Sequence, residues 1–251
     1  MEFTHLAEEL SSNLRTAHDE VALGASLAYA AQRMGFDHYA LSCDYRPSRN
    51  GGDALLVHDY PEQWAMVYVD LKLAGSDPVR RACEKSVTGF TWGRIGELIP
   101  MTPRDRQMLI VGRECGLGDG YTIPRHVPGH ANGTCTFAVR PGVELPHPML
   151  FVAEIVGGLA LASALRLADP SRASKIPVLS DRQRECILWI ARGKTAGEIA
   201  TILGISAETV IQHLKIARER YGVHCASALV VCALFDGLIG FDDIFRTWAV
   251  Q

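Results

Sequence analysis

The stretch LSDRQRECILWIARGKTAGEIATILGISAETVIQHLKIARERYGV, residues 179–223, decides how the C-terminal part of this chain folds. Signals that begin and end helices recur along it, and their spacing predicts three consecutive helices. They are the capping boxes Ser180/Gln183 and Thr195/Glu198, the helix-ending Gly193 and Gly204, and the cap Ser206. The short joint between the second and third helices is typical of a helix-turn-helix.

The third predicted helix has two distinct faces. One face is apolar and would pack inward; it consists of Val210, Leu214, Ala217 and Tyr221. The other consists of Ile211, Gln212, Lys215 and Arg218. Lysine suits guanine or phosphate, glutamine suits adenine, and an exposed isoleucine suits a thymine methyl group, so this face fits a major groove. Capping and periodicity alone leave an ordinary three-helix bundle with a solvated face as an even alternative.

Composition indicates a folded protein and gives no general sign of nucleic-acid binding. The chain of 251 residues is 48% hydrophobic and 21% charged, with a formal net charge of −3. Residues 179–240 contain seven Lys or Arg against six Asp or Glu. DNA affinity would therefore depend on clustering of charge on one face and on dimerisation.

The cysteine pattern and the apolar runs exclude several classes of protein. The seven cysteines are scattered and form no C-x-x-C pair, which favours reduced thiols over a disulfide framework or a zinc site. We expect no metal and no cofactor. The acidic start MEFTHLAEEL is unlike a signal peptide, and we find no apolar run of membrane-spanning length, so we expect a cytoplasmic protein with no membrane partner.

The upstream part predicts an α/β (α+β) sandwich, a mostly antiparallel sheet flanked by helices. The expected helices are 5–16, 18–34, 61–73, 103–116 and 147–167, and the expected strands are 36–45, 53–57, 120–124 and 134–140. Residues 46–52 read as a turn and 88–101 as irregular. The segment 169–178, rich in Pro and Ser, is the predicted linker between a domain at 1–168 and an all-α domain at 179–251.

A set of aromatic and polar residues stands out in the first domain. Tyr60, Trp64 and Tyr68 are spaced four apart along one predicted helix, Asp77-Pro78 follows, and Trp92 and Thr136 come later. A helical stripe of aromatic residues is more often core than ligand site, and Asp77 is also a natural N-cap. Taken singly, each of these residues is better explained by structure than by ligand binding.

The C-terminal stretch resembles the DNA-binding domain of LuxR-type transcription regulators. The matching residues are Glu185, Leu188, Gly193, Lys194, Glu198, Ile199, Ala200, Leu203, Gly204, Ile205, Ser206, Thr209, Val210, His213, Leu214, Gly222, Val223 and Ala228. The resemblance implies a four-helix domain whose fourth helix, about 226–236, often serves dimerisation. Two departures concern DNA contacts: Ile211 replaces a usual basic or polar residue, and Cys225-Ala226 replaces a usual Asn-Arg pair.

The first domain resembles the acyl-homoserine-lactone-binding domain of the same family, through Tyr60-x-x-x-Trp64-x-x-x-Tyr68, Asp77-Pro78, Trp92 and Gly120-x-Thr122-x-Pro124. The resemblance implies that Trp64 donates to the lactone carbonyl, that Asp77 accepts from the amide N–H, and that Tyr60 donates to the amide carbonyl, helped by Thr136. Trp92 would form a wall against the lactone ring and Tyr68 would pack along the acyl chain. Gly120 is interpreted as a backbone requirement.

The resemblance as a whole implies a quorum-sensing transcription regulator that is not an enzyme. The expected partners are an N-acyl homoserine lactone, a second copy of the chain and a palindromic operator in double-stranded DNA, with RNA polymerase as a further candidate. The residues expected to contact DNA are Lys194, Thr195, Thr209, Ile211, Gln212, Lys215 and Arg218.

Three alternatives were weighed against this interpretation. A response regulator would need an acidic cluster after its first strand and a parallel βα repeat, and residues 1–160 have neither. An enzyme acting on lactones would need a nucleophile elbow or a His-rich metal motif, and the sequence contains neither G-x-S-x-G nor H-x-H-x-D-H. A ligand-independent or solo regulator that responds to another small molecule keeps the same fold and stays open.

Overall fold

A computed structural model describes residues 2–44, 54–70, 76–125, 133–168 and 177–245. The chain divides into two compact units, the first ending before the predicted linker and the second beginning after it. Most of that predicted linker, and the turn predicted at 46–52, lie outside the described residues. The domain boundaries at 168 and 179 therefore stay predictions.

The first unit contains seven helices and five strands among its described residues. The helices are α1 (Glu2–Thr16), α2 (Glu20–Met34), α3 (Glu62–Asp70), α4 (Pro78–Cys83), α5 (Ile95–Leu98), α6 (Pro103–Glu114) and α7 (Leu150–Ala168). The strands are β1 (His38–Asp44), β2 (Ala54–His58), β3 (Phe90–Thr91), β4 (Gly120–Arg125) and β5 (Gly133–Ala138). They form one antiparallel sheet in the order β2-β1-β5-β4-β3, which confirms the predicted fold class.

The segment 88–101 is more regular than predicted. It contains the edge strand β3, a 3₁₀ turn at Trp92–Arg94 and the helix α5. A strand of two residues is too short to show an alternating pattern, and β3 exists because Phe90 and Thr91 pair with Thr122 and Tyr121 of β4. Only a partner strand distant in sequence could reveal this element.

The two faces of the sheet have different neighbours because side chains alternate along a strand. On β1, Tyr39, Leu41 and Cys43 belong to the main hydrophobic core, together with residues of α1, α2 and α7. The residues between them, Ala40 and Ser42, face the opposite side and line a cavity. The sequence pattern of one strand thus serves the core and the candidate ligand site at once.

The helix at the end of the first unit corrects one expectation from the sequence. The segment His147–Leu167 has 21 residues and a mean hydropathy of 1.8, long and apolar enough by length and composition to cross a membrane. The expectation that no run reaches this length was therefore wrong. In the structure the helix is a core element, since Val152, Val156 and Ala160 are fully buried against the sheet side.

The second unit is all-α, as predicted. Its helices are α8 (Asp181–Ala191), α9 (Ala196–Leu203), α10 (Ala207–Tyr221), α11 (Ala226–Phe235) and α12 (Phe241–Phe245), of which the short α12 was not predicted. Both predicted capping boxes form, and the caps Gly204 and Gly222 adopt positive φ angles of 65° and 62°. The predicted apolar face of α10 packs inward, with Val210, Leu214 and Ala217 buried in the core of this unit.

Candidate functional site

A cavity of about 510 Å³ lies against the open face of the sheet in the first unit. All six residues predicted to bind ligand line it: Tyr60, Trp64, Tyr68, Asp77, Trp92 and Thr136. They come from α3, from the start of α4, from the turn after β3 and from β5. This volume and mixed lining suit a small organic molecule with a few polar groups.

Asp77 combines a structural and a chemical function. Its Oδ1 accepts from the Val79 backbone N–H at 2.8 Å, which caps α4, while its Oδ2 accepts from the Tyr68 hydroxyl at 2.9 Å. The residue is only 9% exposed. Burial raises the pKa of the Asp77 carboxyl above its ordinary value, against the hydrogen bonds and the nearby Arg80, which lower it.

Tyr68 is used differently from what the resemblance implies. Its hydroxyl is spent on Asp77, and its ring packs edge-on against Trp64 with 5.8 Å between ring centroids. Burial and the adjacent carboxylate raise the pKa of the Tyr68 hydroxyl, so it stays a proton donor. Tyr68 thus holds the carboxylate in place, in addition to lining the cavity.

Trp92 also has a polar contact that the sequence did not suggest. Its Nε1 donates to Thr122 Oγ1 at 3.0 Å, and Thr122 Oγ1 shares a hydrogen bond with Thr136 Oγ1 at 2.9 Å. The antiparallel register places Thr122 opposite Thr136. A Cβ at Gly120 would lie 2.6 Å from the Trp92 ring, so the predicted backbone requirement at Gly120 is the close approach of this ring.

The hydroxyl of Tyr60 completes the polar side of the cavity. Desolvation, with Asp77 as the next cause, raises the pKa of this hydroxyl, while a hydrogen bond with Thr136 lowers it. The hydroxyl therefore stays protonated and can donate to a carbonyl oxygen. Thr136, the least secure placement in sequence terms, lies beside Tyr60, because its strand pairs in register with both β1 and β4.

Several residues of the cavity wall were missed by the sequence analysis: Ala40, Ser42, Leu56, His58, Val79, Arg80, Met108, Leu109, Gly112, Leu117 and Thr134. For some of them a signal existed. Ala40 and Ser42 alternate with buried neighbours on β1, and Arg80 lies one helical turn after Asp77. No local pattern indicated Met108, Leu117 or Gly112, which reach the cavity from α6 and the segment after it.

In the second unit, the predicted groove-facing residues lie on the outer side of α10. Ile211 is 55% exposed, Gln212 and Lys215 are exposed, and Arg218 is half-buried with Nη1 donating to the His224 carbonyl at 3.4 Å. Lys215 lies 4.0 Å from Glu219 in an exposed ion pair, which contributes little to stability and leaves the ammonium accessible.

The other three predicted DNA contacts take part in helix caps. The Thr195 hydroxyl donates to Glu198 Oε2 at 2.9 Å, Lys194 pairs with Glu198 at 3.1 Å, and Thr209 Oγ1 lies 2.9 Å from Ser206 Oγ. The hydrogen bonds from Thr195 and Lys194 lower the pKa of Glu198 to about 2. To donate to a phosphate, the Thr195 hydroxyl would have to leave Glu198.

Comparison with known proteins agrees with both units. Residues 19–167 match the family described as the autoinducer binding domain, and residues 177–233 match the bacterial regulatory proteins of the luxR family. The chain belongs to the LuxR family. It is a LuxR-type autoinducer-binding transcriptional regulator and no enzyme, and the family assignment made from the sequence is confirmed.

Two curated relatives and one solved structure illustrate the similarity. The quorum sensing-dependent regulator RpaR of Rhodopseudomonas palustris is 30% identical, over 77% of this chain and 79% of RpaR. The transcriptional activator AhyR of Aeromonas hydrophila is 27% identical, over 75% of both chains. The crystal structure of Escherichia coli SdiA has a TM-score of 0.73 at 22% identity, covering 94% of this chain and 99% of that one, which shows a shared fold.

Proposed function

We propose that this LuxR-type regulator binds an N-acyl homoserine lactone in the cavity and, as a dimer, a palindromic operator. The observation that carries the ligand is the buried Asp77 carboxylate on the wall of a cavity of about 510 Å³. A buried carboxylate is costly unless donors surround it. An amide N–H of the ligand adds one donor to those already supplied by Tyr68 and Val79.

The other polar groups match the remaining oxygens of such a ligand. Tyr60, beside Thr136, is a donor for the amide carbonyl, and the indole N–H of Trp64 is a donor for the lactone carbonyl. Trp92 is held by Thr122, so its ring forms a fixed wall for the lactone. In this proposal Tyr68 acts mainly through Asp77, a change from its expected packing along the acyl chain.

DNA binding is proposed for the exposed face of α10, with Ile211, Gln212 and Lys215 toward the bases and Arg218, Lys194, Thr195 and Thr209 near the backbone. Dimerisation is proposed through α11, whose outward Val231 is 62% exposed on a helix that is apolar throughout. Two recognition helices on one two-fold axis would read half-sites about one helical turn apart. We also propose a cytoplasmic location and RNA polymerase as a further partner.

A second class of ligand has one observation in its favour. A structure of SdiA, at a TM-score of 0.73, is described as a complex with octanoyl-rac-glycerol. A monoacylglycerol lacks an amide N–H, but its hydroxyl groups could also donate to Asp77. This is the concrete form of the alternative in which the regulator responds to another small molecule.

The test is a thermal-shift panel on the purified chain with acyl homoserine lactones of graded length, octanoylglycerol and the free fatty acids as controls. A ligand at about one hundred times its Kd stabilises the folded state by about 2.7 kcal/mol, a rise of about 5–10 °C in Tm for a unit of this size. Selective stabilisation by lactones supports the proposal. A shift with octanoylglycerol alone, or with no lactone at all, contradicts it.

A further inference from the structure

The two ends of the cavity differ in chemistry. At one end Trp64, Met108 and Leu117 form an apolar cluster, with Trp92 packed against it. At the other end the wall contains two hydroxyl groups and a guanidinium, from Ser42, Thr134 and Arg80, beside Leu56 and Val79. Polar groups at the end away from Trp64 are unexpected for a pocket that would receive only an alkyl tail.

The sheet register fixes how far apart the polar positions lie. Ala40 pairs with Thr136 and Ser42 pairs with Thr134, so the Ser42/Thr134 level is two residues further along the strands. Two residues of a strand span about 6.6 Å. A ligand whose amide lies beside Tyr60 and Thr136 would therefore bring its acyl chain to Ser42 and Thr134 after several methylene groups.

Arg80 reaches this second level. Its Nη2 donates to Ser42 Oγ at 3.5 Å, and it also hydrogen-bonds Tyr68. The side chain is half-buried and forms part of the cavity wall. A guanidinium has five N–H donors, more than these two contacts use, and it binds carboxylates and other oxygen acceptors strongly.

We propose that the pocket prefers an acyl chain that carries an oxygen acceptor, above all a carboxylate, at its far end, received by Arg80, Ser42 and Thr134. This inference rests on the proposed function, because it takes the lactone head to lie at Trp64 and Asp77. An alkyl tail in the same position would cover part of the guanidinium without giving it an acceptor, which costs free energy. The inference does not require Arg80 to lack other partners in the protein.

A competing explanation is that Arg80 only balances the charge of Asp77. Arg80 lowers the pKa of the Asp77 carboxyl, which fits a counter-ion. The two explanations differ in what they predict for the tail. A counter-ion affects every ligand that uses Asp77 equally, whereas a tail receptor affects only ligands with an acceptor at the far end.

The experiment measures Kd by calorimetry on the full chain for matched pairs of homoserine lactones with a terminal carboxylate or a terminal methyl group, across a series of chain lengths. We expect at least one carboxylate ligand to bind about tenfold more tightly than its methyl partner, the effect of one charge-assisted hydrogen bond. Arg80→Met, which keeps the length of the side chain, should abolish or reverse this ratio.

Two further variants keep the result interpretable. Ser42→Val should shift the ratio toward the methyl ligand without touching Arg80, which covers the case in which Arg80→Met does not fold. Arg104→Met removes an exposed cation of α6 outside the cavity lining and should leave the ratio unchanged. Equal weakening of both ligands by Arg80→Met, or a preference for the methyl ligand in the unmodified chain, would overturn the inference alone. Binding of neither ligand would overturn the proposed function together with it.

Discussion

At the scale of single residues, Asp77 is the position where stability and ligand binding conflict. Burial raises its pKa above the ordinary value of 3.8, so the folded state holds a proton more tightly than the unfolded chain. The contribution of Asp77 to stability is therefore lost as the pH rises from the unfolded pKa through the folded one. At neutral pH the unliganded chain carries a buried carboxylate that favours unfolding.

Asp77→Asn should accordingly raise the Tm of the unliganded chain at pH 8 more than at pH 4, and should abolish the shift caused by lactones. Asparagine keeps the N-cap but presents an N–H₂ group toward the ligand amide. The measurement is thermal unfolding at several pH values with and without lactone. Asp19→Asn is the matched control, since Asp19 caps α2 in an exposed position. A full lactone shift in Asp77→Asn would refute the pocket assignment.

At the scale of elements, α10 separates base contacts from phosphate contacts along one exposed face. The structure keeps Val210 and Leu214 in the core, so neighbouring positions must point outward by the helical period. Ile211 cannot form a hydrogen bond and can distinguish bases only through a thymine methyl group. Lys215 can serve a guanine or a phosphate.

Ile211→Ala should weaken binding by about 1–3 kcal/mol at one operator base pair and little at other sequences, whereas Lys215→Ala should weaken binding at every site and reduce the salt slope by about one. Gel-shift titrations on the selected operator, its single-base variants and unrelated DNA, at several salt concentrations, measure both effects. Identical behaviour of the two variants on all DNA would show that α10 does not read bases through Ile211.

At the scale of the whole molecule, the two units have separate hydrophobic cores, one around the sheet and one around α8 to α11. Unfolding of the chain is therefore expected in two steps. A saturating lactone should raise the first unit's transition and leave that of the second unit in place, because ligand stabilises only the unit that binds it. Calorimetry of the full chain, with tryptophan fluorescence as a second probe, tests this. A single transition that moves as a whole with ligand would show that the units unfold together.

What the sequence determined by itself was local or periodic. Capping boxes act within four residues, so the helices of the second unit could be predicted, and alternation fixed most of the strands. The motif spacing also selected Tyr60, Trp64 and Asp77, which meet at one cavity.

The tertiary structure alone decided how these groups are wired together. Trp92 finds Thr122 across 30 positions of sequence, and Arg80 finds Ser42 across 38. The edge strand β3 exists only through its pairing with β4. The reason is physical: such contacts depend on which strands pair and in what register, and no local propensity encodes a partner that distant in the chain.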